Sequence, residues 1–413
     1  MSLATLVLFL LLAAVTAFAA YRELERHRER RLERQRPPAP ADARAIDTSA
    51  PPSSERAELD PPPSGDTFVR FEMLADRGTR STELAEHAAA WRSAMSDVGV
   101  RLRNAGVVAV VFAHGSFVGD DPLSTFALVE RALPAKRRLT KSLRRQTRAY
   151  VERLLGDHGN FGPTYVRLFE QAVGTTIPCT SFVWSSENHH LGRLEGALGL
   201  VRSLAAHAEL GSPRGRILVL GHSHAGQVFA LVTQLLSRSL ASEAILDVAR
   251  ARSIDVGSLD VDLETLEAAS LDFVTFGAPA RYAWARLPNV RSLHVVHGSG
   301  SGSAAAPGIR ERDWVRRLGA VGSDFPALGA SERLVNASLV PALGPGFAPG
   351  ELVRSLRAAT PAPAHGDLVV VDYGREKLTD LVSSGLGHAV YTRLDAMLFH
   401  ASLVTDRLYR RAA

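Results

Sequence analysis

The chain contains a single cysteine, Cys179, among 413 residues. An intrachain disulfide is therefore excluded, and the composition is compatible with a reducing compartment. The net charge of +5 is carried mostly by arginine and is spread along the chain, so it does not indicate a nucleic-acid partner, although it suits an anionic membrane surface. Internal repeats are also lacking. A length of 413 residues with 46% hydrophobic residues instead indicates one large globular domain with additional segments.

The amino-terminal segment has no charged residue from Ser2 to Ala20 and is almost wholly apolar. As a helix this run would be about 28 Å long, enough to cross the hydrocarbon core of a membrane. Arginines are frequent from Tyr21 to Arg36, and no basic residue precedes the apolar run. The positive-inside rule therefore predicts a single-pass anchor with the rest of the chain in the cytoplasm. The alternative is a cleaved signal peptide, because Ala17-Phe18-Ala19 is typical of a cleavage site; the domain would then be secreted or periplasmic.

The segment that follows the arginines is rich in proline, alanine, serine and charge up to about Gly65. Such a composition buries too little apolar surface to fold and is typical of an extended tether. We therefore predict a transmembrane anchor over residues 1–20, a basic juxtamembrane segment and proline-rich linker over 21–65, and a folded domain over 66–413.

Apolar runs alternate with helix-like stretches along the folded domain. The runs are near-continuous, as in parallel strands whose two faces are both covered. They are Gly106–Ala113, Cys179–Trp184, Ile217–Leu220, Leu271–Phe276, Val290–Val296 and Asp367–Asp372. This alternation predicts an α/β fold with a doubly wound, mostly parallel sheet.

Two stretches are expected to depart from this alternation. Residues 120–173 are helix-like and form a predicted insertion, which includes the strongly basic run Lys136–Arg148. That run is compatible with binding to anionic lipid headgroups or with a cap that covers a site, and it is equally compatible with the solvated face of a surface helix. The Gly/Ser-rich residues Gly298–Ser303 are expected to be flexible.

A sharp turn is predicted after the run Ile217–Leu220, at Gly221-His222-Ser223-His224-Ala225. The helix-like run Val228–Leu236 follows directly. Strand, turn and helix in this order expose a serine hydroxyl at the edge of a sheet, with strained backbone at the serine. Gly221 and Ala225 are small enough to let the strand and the helix approach each other.

This turn resembles the nucleophile elbow of the α/β-hydrolase superfamily, whose pattern is Gly-x-Ser-x-Gly; the chain departs from it at Ala225. The resemblance, which is to the lipases and esterases, implies that Ser223 is a nucleophile. In that superfamily a His-Gly turn after an early strand supplies one oxyanion-hole amide, and the residue after the nucleophile supplies the other. Here the turn is His114-Gly115, so Ser116 and His224 would donate their backbone N–H groups. Gly277-Ala278-Pro279 also resembles a turn of lipases and esterases.

The same resemblance implies an acid and a histidine later in the chain, in the order serine, acid, histidine. His388 follows the last predicted strand in a glycine-rich stretch and is the expected base, whereas His365 and His400 are less well placed. Asp313 is the expected acid, because its Asp-x-Val context after the strand ending at Val296 is similar to the acid loop of some lipases. Asp324 is the alternative acid.

The paired histidines His189-His190 follow the predicted strand that ends near Trp184. No cysteine or acidic cluster accompanies them, so a polar loop near the cleft is favoured over a metal site. The implied mechanism requires no metal and no cofactor.

Together these features predict a membrane-anchored serine hydrolase that cleaves a carboxylic ester, a lipid or another hydrophobic ester, through an acyl-enzyme. Two alternatives stay open. The same triad serves an acyltransferase or thioesterase, and the chain is also compatible with an inactive, membrane-tethered interaction protein on a hydrolase fold. The sequence determines neither the substrate-binding residues nor the oligomeric state.

Overall fold

The computed structural model describes the main part of the predicted folded domain. All described residues belong to one compact unit, Pro63–Ala413. The described residues are 68–70, 89–115, 142, 161–210, 215–252, 254–300, 309–311, 313, 315–316, 327, 329–344, 366–373 and 388–409. The predicted anchor, the linker, the domain boundaries, most of the insertion, Ser116, Asp324 and His365 lie outside them.

A mostly parallel β-sheet is at the centre of the fold. Its strands are β1 (Phe68–Arg70), β2 (Val107–Ala113), β3 (Cys179–Phe182), β4 (Arg216–His222), β5 (Ser270–Phe276), β6 (Val290–Gly300), β7 (Ile309–Glu311) and β8 (Asp367–Asp372). Seven strands lie in the order β1-β8-β6-β5-β4-β2-β3, and the six pairings between them are all parallel. The short strand β7 pairs antiparallel with the end of β6. The predicted α/β class and mostly parallel sheet are confirmed.

Helices cover both faces of the sheet. They are α1 (Ala89–Asn104), α2 (Pro163–Val173), α3 (His190–Leu210), α4 (Ala225–Leu236), α5 (Leu240–Ala251), α6 (Leu259–Ala268), α7 (Ala330–Leu343) and α8 (Met397–Tyr409), with 3₁₀ turns at Ala389–Thr392 and Leu394–Ala396. One core cluster joins the sheet to α3, α4, α5, α6 and α7, and the other joins it to α1, α2 and α8.

The apolar runs of the central strands follow from this layering. In β4, Ile217 and Val219 face one core cluster, while Leu218 and Leu220 face the other. A strand covered on both faces has no solvent side, and the consecutive positions 217–220 are accordingly all apolar. Each fully buried side chain of this kind contributes about 1.5–3 kcal/mol to the stability of the fold.

One element boundary differs from the sequence prediction. Gly298–Gly300 continue β6 rather than forming a flexible run, because they pair with Ile309–Glu311. After α4 the helices α5 and α6 each pack an apolar face on the core.

No single helix within the described ranges is long and apolar enough to cross a membrane. The helices α4 and α5 reach that length and composition only as a pair, bent by 105° at their junction.

The strand order reverses between β2 and β4. From β2 the chain moves outward to β3, and it then returns to β4 on the other side of β2 before moving to β5 and β6. In open α/β sheets the crevice at the carboxyl ends of strands on either side of such a reversal is the usual ligand site. The predicted turns His114-Gly115 and His222-Ser223 follow these two strands.

Candidate active site

Ser223 lies in a strained turn between β4 and α4. Its φ is 55°, a left-handed value that is uncommon for a residue with a side chain. The Ser223 N–H donates to the carbonyl oxygen of Phe276 on β5 at 2.8 Å, directly after the paired residues His222 and Phe276. The backbone strain expected at this serine is therefore confirmed.

Gly221 allows the close approach of strand and helix at this turn. A Cβ atom at Gly221 would overlap the ring of Phe229 on α4 and would lie 3.1 Å from the Cβ of Ala225. The small residues on either side of Ser223 are thus required by packing, as predicted from the sequence.

Asp313 and His388 form a buried hydrogen-bonded pair, although they are 75 residues apart in the chain. The Nδ1–H of His388 donates to the carboxylate at 2.8 Å from Oδ2 and 3.0 Å from Oδ1. Asp313 is fully buried, and His388 is 8% exposed. A proton held on Nδ1 leaves Nε2 as the basic nitrogen of the neutral ring, which is the tautomer that a general base requires.

Two further groups hold the carboxylate of Asp313. The hydroxyl of Tyr391 donates to Oδ2 at 2.9 Å, and the backbone N–H of Arg316 donates to Oδ1 at 2.8 Å. The Tyr391 oxygen in turn accepts the N–H of His297 at 2.7 Å. These bonds orient Asp313, and through it they orient the imidazole.

The electrostatics of this network keep the acid ionised. Burial raises the pKa of Asp313, but the charge and hydrogen bond of His388 and the bonds from Arg316 and Tyr391 outweigh burial, so the pKa lies below the ordinary value of 3.8. Burial and the negative charge of Asp313 raise the pKa of Tyr391 well above 10, so the phenol stays neutral and remains a donor.

Gly277 makes room for this network. Its φ is 60°, and a Cβ atom there would overlap the ring of Tyr391 and lie 2.8 Å from Oδ2 of Asp313. The Gly277-Ala278-Pro279 turn, noted in the sequence, therefore lies against the Asp313 carboxylate and the Tyr391 ring.

The structure places Ser223 beside the Asp313–His388 pair through His222. The ring of His222 packs against that of His388, with centroids 4.5 Å apart, and its Nε2–H donates to the carbonyl oxygen of His388 at 3.1 Å. His222 directly precedes Ser223, so the residue next to the serine contacts both the ring and the backbone of His388.

No hydrogen bond joins Ser223 to His388 among the described residues. The Ser223 hydroxyl lies 3.3 Å from Nδ1 of His224, and Nε2 of His388 is buried without a hydrogen-bond partner in the described part of the chain. Catalytic hydrogen bonds are often absent or long in ligand-free proteins. A rotation of the serine hydroxyl away from His224 is needed to complete a triad.

Of the two predicted oxyanion donors, His224 is described and Ser116 is not. His224 directly precedes α4, so its N–H lies at the positive end of a helix. Gly115 lies against the nucleophile, since a Cβ atom there would be 2.7 Å from the Cβ of Ser223. The predicted His114-Gly115 turn is therefore in contact with Ser223.

The path of the chain explains how Asp313 reaches the histidine. The strand β6 extends beyond the carboxyl edge of the sheet, and β7 returns along it in the antiparallel direction. Asp313 follows β7 by two residues and lies at the edge formed by β5 and β6. Sequence analysis did not detect β7, because three residues carry no clear periodicity.

The other histidine candidates have different roles. Nε2 of His400, on α8, lies 2.6 Å from the Tyr373 hydroxyl, and burial lowers the pKa of His400 to about 3. Nδ1 of His189 accepts the N–H of Gly192, and Nδ1 of His190 bonds the hydroxyl of Tyr282. Within the described ranges, no three His, Cys, Asp or Glu side chains are grouped so that they could hold a metal ion.

Sequence analysis missed three supporting residues: Tyr391, His222 and Arg316. Tyr391 follows His388 by three residues in the same short stretch, so their spacing was the available signal. His222 was noted only as part of the elbow. For Arg316 the sequence carries no signal, because only its backbone N–H contacts Asp313.

A cavity of about 280 Å³ lies beside the acid loop. Its lining includes Gly226 and Gln227 at the start of α4, Ala278 and Pro279 after β5, and Arg316. It shares Arg316 with the Asp313 network, while Ser223 and His388 do not line it. Asp313 does not line the cavity either, so the cavity meets this network only at Arg316.

No family model, curated protein or solved structure matches this chain.

Proposed function

We propose that the protein is a serine hydrolase of the α/β-hydrolase fold that cleaves carboxylic esters, with Ser223 as nucleophile, His388 as base and Asp313 as acid. The observation that carries the proposal is the buried Asp313–His388 pair, with its 2.8 Å bond, next to a serine in a strained strand-to-helix turn. Burying a carboxylate next to an imidazole costs free energy. Buried pairs of titratable groups with shifted pKa values are typical of active sites.

The order of the elements supports the same reading. Ser223 follows β4, Asp313 follows β6 and its return strand β7, and His388 follows β8, the last strand described. This is the order serine, acid, histidine of the superfamily. All three residues lie at the carboxyl ends of the strands, where ligands bind in open α/β sheets.

In the proposed reaction the Ser223 oxygen attacks the ester carbonyl carbon while Nε2 of His388 takes the hydroxyl proton. The backbone N–H groups of His224 and Ser116 bind the negative oxygen that forms, and His388 then gives its proton to the departing alcohol. Water attacks the acyl group on Ser223 with His388 again as base, which releases the carboxylic acid. Asp313 stays ionised throughout and stabilises the imidazolium.

The proposed substrate is a lipid or another hydrophobic ester. This part depends on the predicted amino-terminal anchor and the basic helical insertion. An enzyme held at the membrane surface, with its catalytic domain in the cytoplasm, meets lipid esters at high local concentration. The same triad supports transfer of the acyl group to an alcohol or thiol when either replaces water.

One observation favours a second candidate, an inactive interaction protein: the Ser223 hydroxyl lies within bonding distance of His224 and not of His388.

A fluorophosphonate probe separates the two candidates, since it reacts only with an activated serine. We expect the full-length protein, purified in detergent, to be labelled on Ser223, as identified by peptide mass spectrometry.

Ser223→Ala should abolish this labelling, and His388→Ala should strongly reduce it. His207→Ala is the matched control, because His207 lies in the last turn of α3 and bonds Thr180. Absence of label on folded wild-type protein, with and without added phospholipid vesicles, would contradict the enzyme proposal and favour the interaction protein.

A further inference from the structure

We propose that His222 is a positioning residue that ties the segment carrying the base, His388, to the strand that leads to the nucleophile, Ser223. The inference rests on the hydrolase function proposed above and deepens it. His222 is the last residue of β4, and His388 directly precedes the 3₁₀ turn Ala389–Thr392, which follows β8 in the chain. The two histidines are 166 positions apart, so only the tertiary structure brings them together.

Two separate contacts join His222 to the base. The Nε2–H of His222 donates to the backbone carbonyl oxygen of His388 at 3.1 Å. A carbonyl oxygen only accepts, so the proton of the neutral His222 ring is on Nε2. The two imidazole rings also pack together, with centroids 4.5 Å apart and planes inclined by 41°. One side chain therefore contacts both the backbone and the ring of the residue proposed as base.

The ring of His222 is itself held by its surroundings. The residue is 2% exposed, and its ring centroid lies 5.9 Å from that of Tyr391, whose hydroxyl donates to Asp313. Gly115 also lies against this ring, since a Cβ atom there would be 3.2 Å from Nδ1 of His222 and 3.1 Å from its carbonyl oxygen. A side chain locked by packing in this way is able to hold a reacting group in place.

His222 and Asp313 act on different parts of His388. Asp313 accepts from Nδ1 of the ring, whereas His222 bonds the backbone carbonyl oxygen and packs against the ring. A side chain rotates about χ1 and χ2, so a hydrogen bond at one ring atom does not by itself determine where the whole ring lies. The contacts of His222 and the bond to Asp313 together hold both the backbone and the ring of the base.

A base that is held in place acts on proton transfer in the transition state and hardly on substrate binding. Loss of the His222 side chain should therefore lower kcat and leave KM unchanged. A displacement of about 1 Å at reacting groups typically costs about 10² in rate. Because Asp313 still holds Nδ1 of His388, we expect a loss of roughly tenfold to hundredfold in kcat for His222→Ala.

Three variants of the full-length protein separate the two contacts. His222→Ala removes both of them. His222→Phe keeps a ring against His388 but has no donor for the carbonyl oxygen, whereas His222→Gln keeps an N–H donor but has no ring. With p-nitrophenyl butyrate as substrate, the Phe and Gln variants should each have a kcat between those of the wild type and His222→Ala, and KM should be the same in all four proteins.

His294→Phe is the matched control. His294, on β6, is another buried strand histidine; its Nδ1 lies 2.8 Å from the hydroxyl of Thr275, and its ring packs on Trp284. Its replacement should lower the urea midpoint without changing kcat per mole of folded protein. A merely structural role of His222 would give the same pattern in the His222 variants.

A second experiment asks whether the effect of His222 passes through His388. The variant His388→Ala retains only a slow residual reaction of the serine, and His222 then has no imidazole to hold. In that background His222→Ala should leave the fluorophosphonate labelling rate unchanged. With His388 present, the same substitution should slow labelling about as much as it lowers kcat.

Each outcome decides the proposal. A lower kcat at constant KM in His222→Ala, partly restored by Phe or Gln and without effect in the His388→Ala background, supports the positioning role. A wild-type kcat in His222→Ala, a change in KM alone, or equal slowing of labelling with and without His388 overturns it, while the labelled wild type leaves the hydrolase intact. If His222→Ala does not fold, the Phe and Gln variants decide by the same criteria. A wild-type protein that neither turns over the ester nor reacts with the probe removes the proposed function, and the positioning role with it.

Discussion

Two buried aspartates, Asp272 and Asp313, lie at opposite ends of the same sheet. Both side chains are fully buried, and each accepts a tyrosine hydroxyl on Oδ2 at 2.9 Å, from Tyr409 and Tyr391 respectively. Asp272 is near the amino ends of the strands, where it is held by Arg216 and Arg291. Asp313 is at the carboxyl edge, where its cationic partner is a histidine.

The two aspartates differ in their cationic partners. Arginine stays protonated at any pH a protein experiences, so the Asp272 cluster is a permanent clamp between β4, β5, β6 and α8. In the proposed mechanism the second ring nitrogen of His388 takes up the serine proton, so the charge opposite Asp313 changes during the reaction. Burial and geometry alone do not distinguish the two sites; the chemistry of the partner does.

The largest expected effect is that of Asp313→Asn on turnover. The amide cannot stabilise the imidazolium and favours the wrong tautomer of His388, so kcat should fall by about 10⁴. The fold should be retained, because the substitution keeps shape and volume. The measurement is kcat for ester hydrolysis together with a urea unfolding curve.

Asp272→Asn is the matched control for that change. It leaves Arg216 and Arg291 without their carboxylate, so stability should fall by about 1–3 kcal/mol while kcat of the folded protein is unchanged. A variant at Asp272 that lost as much turnover as Asp313→Asn would refute the functional distinction between the two ends of the sheet.

An intermediate effect is expected from Gly115→Ala. The new Cβ would lie 2.7 Å from the Cβ of Ser223, so one of the two must move. A displacement of about 1 Å at reacting groups typically costs about 10² in rate. Steady-state kinetics and the fluorophosphonate labelling rate should fall together.

Gly366→Ala is the matched control for Gly115→Ala, because it also adds a Cβ atom to a closely packed glycine. Gly366 lies next to the amino end of β8. Gly366 has a φ of 95°, and a Cβ atom there would overlap Ser292. Stability should fall by about 1–3 kcal/mol, and kcat should stay at the wild-type value. Equal loss of kcat in both glycine variants would mean that the contact of Gly115 with Ser223 affects turnover no more than the contact of Gly366 with Ser292.

The smallest expected effect on turnover is that of Tyr391→Phe, about tenfold or less, because His388 and the Arg316 N–H still hold Asp313. The substitution also leaves the N–H of His297 without its partner, which should cost about 1–3 kcal/mol of stability. Tyr409→Phe, which removes the matching bond to Asp272, should leave kcat unchanged. A larger kcat loss in Tyr409→Phe than in Tyr391→Phe would contradict the comparison.

The Tyr391→Phe variant also has an expected pH dependence. Because the pKa of Asp313 is below 3.8 in the folded protein, its ionised form contributes stability that is fully present above this unfolded value and is lost as the pH falls through the folded value. Without the Tyr391 hydroxyl the folded pKa should rise. Urea midpoints measured from neutral pH downward should therefore begin to fall near the same unfolded value in both proteins, and the fall should be smaller and should end at a higher pH in the variant than in the wild type.

Much of the fold was predictable because its signals are local. The runs at β2 and at Ile217–Leu220 of β4 are apolar at every position, which is typical of strands covered on both faces. The elbow at Ser223 was equally readable, since Gly221, Ala225 and the strand-to-helix change lie within a few residues. By contrast, β7 and the return of the chain to Asp313 were not predictable, because three residues of β7 carry no clear pattern.

The supporting contacts of the site were the least predictable part. Nothing near His222 in the sequence indicates that its ring reaches the carbonyl oxygen of His388, 166 residues away. Tyr391 is close to His388 in the chain, but its bond to Asp313 depends on the turn at Gly277. Such contacts are formed between loops from different strands, so only the arrangement of those strands brings them together.

The sequence by itself determined the alternation of strands and helices and the strained serine turn, because both are written in neighbouring residues. The order serine, acid, histidine was an expectation from the resemblance to the α/β-hydrolases. The tertiary structure alone decided that Asp313, and not another acid among the described residues, meets His388. It also decided that Asp272 is a clamp. A carboxylate acquires its role from the partner and the burial that folding supplies, and neither is encoded in the residues next to it.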